Sequence, residues 1–171
     1  MKNISFRNDI LPLKNVLYRL ALRITLNHEE AEDIVQETLI KVWNKRDDWQ
    51  NIENIEAFSL TICRNLALDK TKKMGGDNES LEQANMNVAS DHTSNPYVSL
   101  MQKDRVRIIR ELVDRLPEKQ RSCMQLREFE EKPYKEIAAI LGISEEQVKV
   151  NIFRARQAIK QKYQEIEQYG L

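Results

Sequence analysis

The stretch from 133 to 160 constrains the fold of this 171-residue chain more than any other. Pro133 can open a helix, because a residue in the first helical turn needs no backbone donor. Gly142 can take the positive φ at which helices often end, and Ser144 with Gln147 can cap a second helix reciprocally. Apolar residues then recur at helical spacing in one narrow stripe. The sequence therefore predicts two helices joined by a tight turn, the pattern of a helix-turn-helix.

The second of these helices is basic on the side away from its apolar stripe. The second helix of a helix-turn-helix enters the DNA major groove, so its exposed positions are candidate DNA contacts. Phe153 stands among them, and an aromatic side chain there needs a partner such as a thymine methyl group. An ordinary helical hairpin with a solvated basic face remains the alternative. The candidate contacts are Ser144, Glu146, Gln147, Lys149, Val150, Phe153, Arg154, Arg156 and Lys160.

Charge and turn-forming residues divide the chain into two helical units. Lys and Arg number 27 and Asp and Glu number 27, yet residues 75–100 hold acids and no cation. Polar residues dominate there and helical periodicity is lost, which is typical of a linker. We predict an all-α fold with helices at about 10–26, 28–45, 55–73, 103–116, 118–129, 134–141 and 144–164. It comprises a small helical domain over 1–74, a flexible acidic linker over 75–102, and a second small domain, with the helix-turn-helix, over 103–171.

Several classes of protein are disfavoured by composition. No run approaches the ~18 apolar residues of a membrane span, and the N-terminus shows no signal-peptide core. Cys63 and Cys123 have apolar neighbours, which indicates buried thiols in a reducing compartment. Neither these cysteines nor His28 and His92 have partners at metal-ligand spacing. We expect a cytoplasmic protein without membrane insertion, metal or other cofactor.

The helix predicted over 28–45 has two unlike faces. Ala31 and Val35 begin an apolar face, whereas the opposite face carries acids and amides. An acidic helix face is most often solvated surface, and that alternative stays open. Ile40 departs from it, because an apolar residue amid acids and next to Trp43 forms a candidate docking patch for another protein. The candidate docking residues are Asp33, Gln36, Glu37, Ile40 and Trp43.

The helix predicted over 55–73 and the loop before it suit nucleic acid. Phe58, Ile62 and Leu66 form its predicted buried stripe, and the helix ends in lysines. The loop combines amides with Trp49, and such side chains can hold an unstacked base. A core anchor is the alternative role for Trp49. The candidate contacts are Trp49, Asn51, Asn54, Thr61, Arg64, Asn65 and Lys72.

Three segments in this order resemble the extracytoplasmic-function (ECF) sigma factors of bacterial RNA polymerase. Residues 31–43 resemble that family's polymerase-binding helix. Residues 57–69 resemble the helix that reads the promoter −10 element, although the family usually has Trp where Phe58 stands and a small residue where Cys63 stands. Residues 115–121, followed by the helix-turn-helix, resemble the region that reads the −35 element.

The resemblance implies a promoter-specificity subunit that is not an enzyme, and the sequence shows no P-loop or catalytic-triad spacing. It implies that the docking patch binds the clamp helices of the largest polymerase subunit. It further implies that the loop and helix near Arg64 contact and melt −10 DNA, that the helix-turn-helix contacts −35 DNA, and that the partners include the β-flap and an anti-sigma factor. A stand-alone helix-turn-helix regulator with an N-terminal sensing or dimerisation domain is the alternative, and it would dimerise on a palindromic site.

Overall fold

A computed structural model describes residues 3–73 and 96–169, with residues 96–102 and 169 described as backbone alone. Within these ranges the regular elements are helical, as predicted. The α-helices are α1 (Lys14–Thr25), α2 (His28–Asn44), α3 (Ile55–Lys73), α4 (Pro96–Asp114), α5 (Glu118–Met124), α6 (Tyr134–Leu141) and α7 (Glu145–Tyr169). Short π-helical and 3-10 segments cover Phe6–Ile10, Leu11–Leu13, Arg46–Asn51 and Gln125–Phe129. None of the described helices is long and apolar enough to cross a membrane.

Local chemistry places most helix ends where the sequence predicts them. α1 ends at Leu26 in a left-handed conformation, φ +56°. Asn27 follows and caps α2, since its side-chain oxygen accepts from the Glu30 backbone N–H at 3.0 Å. These two conformations turn the chain sharply between the helices. α2, α3 and α6 match their predicted bounds to within one residue.

The start of the second half differs from the prediction. α4 begins at Pro96, inside the predicted linker over 75–102, because proline's fixed φ and missing N–H suit the first helical position. Residues 74–95 of that linker lie outside the described residues. At the other end, α7 continues to Tyr169, beyond the predicted Gln164.

The buried stripe predicted for α3 is wrong in its register. Phe58, Ile62 and Leu66 are only partly buried. The buried positions of α3 are Ser59, Leu60, Cys63, Arg64 and Ala67. The reason is that α3 packs on α1 and α2 along one side and on α6 along another. A helix covered from two directions does not carry a single apolar stripe.

The first half (3–73) and the second half (96–169) share one hydrophobic core. Leu17 and Leu60 from the first half belong to the same buried cluster as Val113, Cys123 and Ile137 from the second. α1 contacts α5, and α3 contacts α6. A smaller cluster of Ile10, Val42 and Trp49 closes the far end of the first half. In this arrangement the halves are therefore packed directly against each other.

Candidate functional site

The exposed face of α2 carries the predicted docking residues together. Asp33, Gln36 and Glu37 are exposed, and Ile40 keeps 58% of its surface exposed among them. The opposite face is buried, as predicted, and consists of Ala31, Val35, Thr38 and Val42. We call the exposed set of Asp33, Gln36, Glu37, Ile40 and Trp43 the docking face. It has the features of a protein-binding patch, an apolar anchor with a polar surround.

Trp43 is held at the edge of the docking face by aromatic and cationic contacts. Its ring lies 5.4 Å from the Phe6 ring and 6.0 Å from the Trp49 ring, edge to face in both pairs. The Arg46 guanidinium lies 4.7 Å from the Trp43 ring centroid. These contacts hold the ring in one orientation while 45% of the residue stays exposed. Phe6 was not predicted, since no periodic pattern connects it to α2.

A lysine of α3 neutralises the N-terminal end of the docking face. Lys70 Nζ lies 3.0 Å from Glu30 Oε2 and 3.7 Å from Asp33 Oδ2. Burial alone would lower the pKa of Lys70, but the bond to Glu30 and the charges of Asp33 and Glu37 raise it overall. Glu37, the acid one turn before Ile40, makes no ion pair within 4 Å among the described residues, whereas Glu30 and Asp33 both pair with Lys70.

The structure places Trp49 in the core rather than on a nucleic-acid surface. Only 7% of the residue is exposed, and its Nε1–H donates to the Val42 carbonyl oxygen at 2.9 Å. A base cannot stack on a ring that is covered on its faces. The core-anchor alternative for Trp49 thus describes this structure. Trp49 holds the 3-10 segment Arg46–Asn51 against the end of α2.

The remaining residues predicted for the −10 element divide into two groups. Asn51, Asn65 and Lys72 are exposed. Asn54 caps α3 by accepting from the Ala57 N–H at 3.0 Å, and its amide donates to Glu136 Oε1 at 3.3 Å. Thr61 and Arg64 make bonds within the protein instead. These residues therefore do not form one exposed surface here.

Arg64 is the clearest departure from the predicted polar side of α3. It is 7% exposed, and its guanidinium donates to the Leu141 carbonyl at 3.3 Å and to Glu118 Oε2 at 3.4 Å. Its Nε has no partner among the described residues. The sequence could not reveal this, because both acceptors lie in the second half of the chain.

The helix-turn-helix is confirmed in its details. Gly142 ends α6 at φ +66°, and Ser144 begins α7 with a reciprocal cap. The Gln147 N–H donates to Ser144 Oγ at 3.1 Å, and the Ser144 N–H donates to Gln147 Oε1 at 3.1 Å. Val148, Ile152 and Ala155 form the buried stripe of α7. The turn therefore presents the first turns of α7 in a fixed orientation.

The exposed side of α7 contains most of the predicted DNA contacts. Val150 and Phe153 are 45% and 64% exposed, and such apolar residues one helical turn apart fit thymine methyl groups. Arg154 is exposed and makes no ion pair among the described residues. We call the exposed set of Glu146, Gln147, Lys149, Val150, Phe153 and Arg154 the reading face.

Lys149 of the reading face and Arg156 beside it both have partners within the protein. Arg156 donates through Nε to Glu128 Oε1 at 2.9 Å, and this bond is the main cause that raises its pKa. Lys149 Nζ lies 5.8 Å above the Tyr134 ring, and Arg127 lies 4.3 Å from the same ring. Arg127, which no sequence pattern indicated, therefore adds positive charge beside the turn. Lys160 is exposed further along α7.

An apolar groove of about 650 Å³ lies between α4, the segment Gln125–Phe129 and α7. Its apolar lining includes Ile109, Met124, Ile159 and Tyr163. Arg156 and Lys160 stand at the same groove, so it borders the C-terminal part of the predicted DNA contacts. It suits an apolar segment of another protein better than nucleic acid.

The two cysteines are structural rather than reactive. Cys63 and Cys123 are fully buried, as expected, and unpaired. Burial raises the pKa of the Cys63 thiol to about 12 and that of Cys123 to about 11. Neither thiol is a nucleophile at neutral pH. Among the described residues, no cluster of His, Cys, Asp and Glu has the arrangement of a metal site.

Two family models match the chain, one over the half that carries the docking face and one over the half that carries the helix-turn-helix. A family model described as Sigma-70 region 2 matches residues 10–75, and one described as Sigma-70, region 4 matches residues 107–159. The chain is 30% identical over 152 residues to the ECF RNA polymerase sigma factor EcfG of Rhodopseudomonas palustris, covering 89% of this chain and 81% of the relative. It is 27% identical over 168 residues to SigW of Bacillus subtilis, covering 92% and 89% of the two chains.

A solved sigma factor structure also superposes on this chain. The sigma factor RpoE of Bartonella quintana, crystallised in complex with the anti-sigma factor NepR, superposes with a TM-score of 0.72 at 26% identity, covering 91% of this chain and 94% of that one. The helix-turn-helix, the docking face of α2 and the matches over both halves lead to one conclusion. This chain belongs to the ECF sigma factors, the subunits that direct bacterial RNA polymerase to promoters.

Proposed function

We propose that the docking face of α2 binds the clamp helices of the largest subunit of core RNA polymerase. The observation that carries this proposal is Ile40, 58% exposed between acids and amides on a helix whose other face is buried. An isolated apolar anchor within a charged rim is typical of a binding hot spot. The acids would pair with basic residues of the partner and steer its approach.

We also propose how the first half meets the −10 element. Asn51, Asn65 and Lys72 are available as exposed contacts, while Asn54 and Thr61 position the start of α3. Trp49 is buried beneath this surface, where it anchors the segment Arg46–Asn51. Arg64 becomes available only if its bonds to the second half are broken.

For the −35 element, we propose that the reading face of α7 enters the major groove. Gln147 and Arg154 are suited to purine edges, and Val150 with Phe153 to thymine methyl groups. Arg156 and Lys160 stand further along α7, where they would meet phosphates. Residues 1–74 then act as the polymerase-binding and −10 domain, 103–171 as the −35 domain, and 75–102 as their connection.

We propose two further protein partners. The groove between α4 and α7 is a candidate site for the polymerase β-flap, because apolar residues such as Ile109, Met124 and Phe129 line it beside charged ones. RpoE of Bartonella quintana was crystallised with an anti-sigma factor, and we propose a partner of that kind here. We place the protein in the cytoplasm, where the polymerase acts, and propose that it has no catalytic activity of its own.

The experiment that tests this function is transcription in vitro with purified core polymerase and a library of promoter fragments. We expect initiation to depend on the added protein and to start at a restricted set of sequences. Tight binding of the protein alone to duplex DNA, with no stimulation of core polymerase, would instead favour a stand-alone regulator. A size measurement of the protein–DNA complex distinguishes the two further, because a regulator would bind as a dimer.

A single substitution tests the reading face. Arg154→Ala is expected to cost ~1–3 kcal/mol at one base position if Arg154 contacts a base. Lys160→Ala is the matched control, because loss of a phosphate contact weakens binding about equally at all sequences. Selection of bound sequences from a randomised −35 element would measure both. An equal loss across all sequences for Arg154→Ala would assign it to phosphate.

A further inference from the structure

The chain before α1 forms a structured element beside the docking face. We call residues 3–10 the N-terminal segment. Most of it precedes residues 10–75, over which the chain matches Sigma-70 region 2. Ser5 caps its short helical turn, because Ser5 Oγ accepts from the Asn8 N–H at 3.4 Å and the Ser5 N–H donates to Asp9 Oδ2 at 2.7 Å. The segment therefore has its own local order.

Apolar side chains attach the N-terminal segment to the rest of the first half. Ile10 is completely buried in a cluster with Val42 and Trp49. Ile4 and Phe6 are partly buried and pack against the same cluster. The segment also contacts α3. Because Val42 belongs to the last turn of α2, this packing places the segment beside that turn.

Phe6 of the N-terminal segment contacts Trp43, the aromatic member of the docking face. The two ring centroids lie 5.4 Å apart, with 80° between the ring planes, which is an edge-to-face geometry that aromatic pairs favour. Trp49 lies on another side of Trp43, and Arg46 donates to the Trp43 carbonyl at 3.3 Å. Trp49 and Arg46 follow Trp43 closely in the chain, whereas Phe6 comes from before α1.

Trp43 and Ile40 lie on the same side of α2. Gln36, Ile40 and Trp43 are spaced at i, i+4 and i+7, which aligns them along a helix. Ile40 and Trp43 are both large apolar residues that stay exposed. A tryptophan ring presents a different surface when its rotamer changes. The contacts that hold this ring therefore affect the apolar surface that α2 offers to a partner.

We propose that Phe6 is a positioning residue of the docking face, which holds the Trp43 ring in the orientation that contacts core polymerase. This proposal rests on the docking function proposed above. A side chain that is already ordered loses less conformational entropy on binding than a mobile one. Without the Phe6 ring, the Trp43 side chain gains rotamers that binding must then remove.

Substitutions of Phe6 provide the first test, with core-polymerase affinity measured by titration of labelled protein. Phe6→Ala should weaken binding about three- to tenfold, the range expected for one aromatic pair. Phe6→Tyr keeps an aromatic ring and should restore wild-type affinity. Leu11→Ala is the matched control, because Leu11 is an apolar residue of the same part of the chain that stays exposed. Wild-type affinity of Phe6→Ala would overturn the proposal.

A double-mutant cycle separates positioning from direct contact. If Phe6 acts through Trp43, Phe6→Ala should cause no further loss of affinity in a Trp43→Ala background, since the two effects are then not additive. An equal loss in both backgrounds would mean that Phe6 acts independently of Trp43, and the positioning role would be wrong.

The state of the Trp43 ring can be measured in the free protein. The chain has two tryptophans, so incorporation of 5-fluorotryptophan gives two fluorine resonances, which Trp43→Phe assigns. Phe6→Ala should shift and narrow the Trp43 resonance, because the ring becomes more mobile, and should change the resonance of the buried Trp49 less. An unaltered Trp43 resonance in Phe6→Ala would contradict the proposal.

The outcomes distinguish this proposal from the docking function itself. If Ile40→Asp and Trp43→Ala both bind core polymerase with wild-type affinity, the docking function fails. If both weaken binding while Phe6→Ala does not, only the positioning role fails. Thermal unfolding identifies any loss of the fold. If Phe6→Ala is unfolded, Phe6→Leu takes its place, because leucine keeps apolar volume without a ring and should weaken binding in the same direction.

Discussion

Ile40 illustrates how one side chain can turn a solvated helix face into an interface. Apart from Trp43, its neighbours on the docking face are acids and an amide, which gain nothing from leaving water unless they are paired. The apolar side chain is stabilised by burial against a partner, at roughly 25 cal/mol per Å². Ile40 is therefore the position at which a substitution should act on binding while leaving the fold intact.

We expect Ile40→Asp to weaken core-polymerase binding by about 30-fold or more, the cost of losing a hot spot of ~2 kcal/mol. Titration of labelled protein with core polymerase, followed by fluorescence anisotropy, measures this loss. Val106→Asp is the matched control, because Val106 is an exposed apolar residue, 44% exposed, on α4. Equal affinities for Ile40→Asp and wild type would remove the docking face from the polymerase contact.

Cys63, unlike Ile40, is buried, and burial suppresses the reactivity of its thiol. Its thiol is buried, its Sγ contacts the Leu17 carbonyl oxygen at 3.3 Å, and burial raises its pKa to about 12 from 9.0. Above pH 9 the unfolded chain therefore loses the Cys63 proton while the folded protein keeps it. The contribution of this thiol to stability is complete below pH 9 and declines as the pH rises towards 12.

We predict that Ellman's reagent labels neither native cysteine within an hour at pH 8 in the folded protein, and both in urea. An introduced cysteine at the exposed Gln157 should react at once and serves as the control. The stability difference between wild type and Cys63→Ala should shrink from pH 8 to pH 10, as measured by urea unfolding. Fast labelling of the folded wild-type protein would contradict the burial of these thiols.

At the scale of elements, the clearest agreement between sequence and structure lies in the α6–α7 turn. Gly142, Ser144 and Gln147 act through backbone conformation and bonds within a few residues. Such interactions need no knowledge of the rest of the fold. The same holds for α2, whose buried face follows from apolar spacing because α2 is covered from one side only.

We predict that Ser144→Ala destabilises the protein by about 1 kcal/mol, the usual cost of removing an N-cap oxygen. Gln147→Ala should cost less, and the double variant should cost less than the sum, since both residues serve one reciprocal cap. Gln157→Ala, on the exposed side of the same helix, should stay within about 0.5 kcal/mol of wild type. Urea unfolding of the wild type and the four variants measures these costs, and strict additivity would argue against the reciprocal cap.

α3 is the element that sequence patterns describe least well. Its buried set combines Leu60, Cys63 and Ala67, facing α1 and α2, with Arg64, facing the second half. Each neighbouring surface buries a different set of α3 positions, so the buried positions taken together do not follow one helical period. A charged residue at a buried position was unforeseeable, because its partners are 54 and 77 residues away in sequence.

At the scale of the whole molecule, the shared core couples the two halves. A cluster that joins Leu17 and Leu60 to Val113 and Cys123 cannot lose one half without exposing apolar surface on the other. Ion pairs between the halves, such as Arg23 with Asp114 at 2.7 Å, add to this coupling. The halves should therefore unfold as one cooperative unit in the free protein.

We expect tryptophan fluorescence and far-ultraviolet circular dichroism to report the same urea transition. The chain has two tryptophans, Trp43 and Trp49, both in the first half, whereas circular dichroism reports helices of both halves. Coincident midpoints would agree with a single cooperative unit. A second circular-dichroism transition without a fluorescence change would mean that the halves unfold independently. Arg19→Glu should separate the two curves, because it replaces the salt bridge between Arg19 and Glu130 of the second half with a repulsion.

The sequence by itself determined the all-α class, the helix-turn-helix with its cap, the division of α2 into two faces, and the family. These features depend on spacing and on contacts within a few residues, which the order of side chains specifies directly. Only the tertiary structure decided that Trp49 is a core anchor, that Arg64 is buried, and that the two halves close on each other. Those outcomes depend on contacts between residues far apart in the chain. Such contacts form, and contribute to stability, only when the helices pack together.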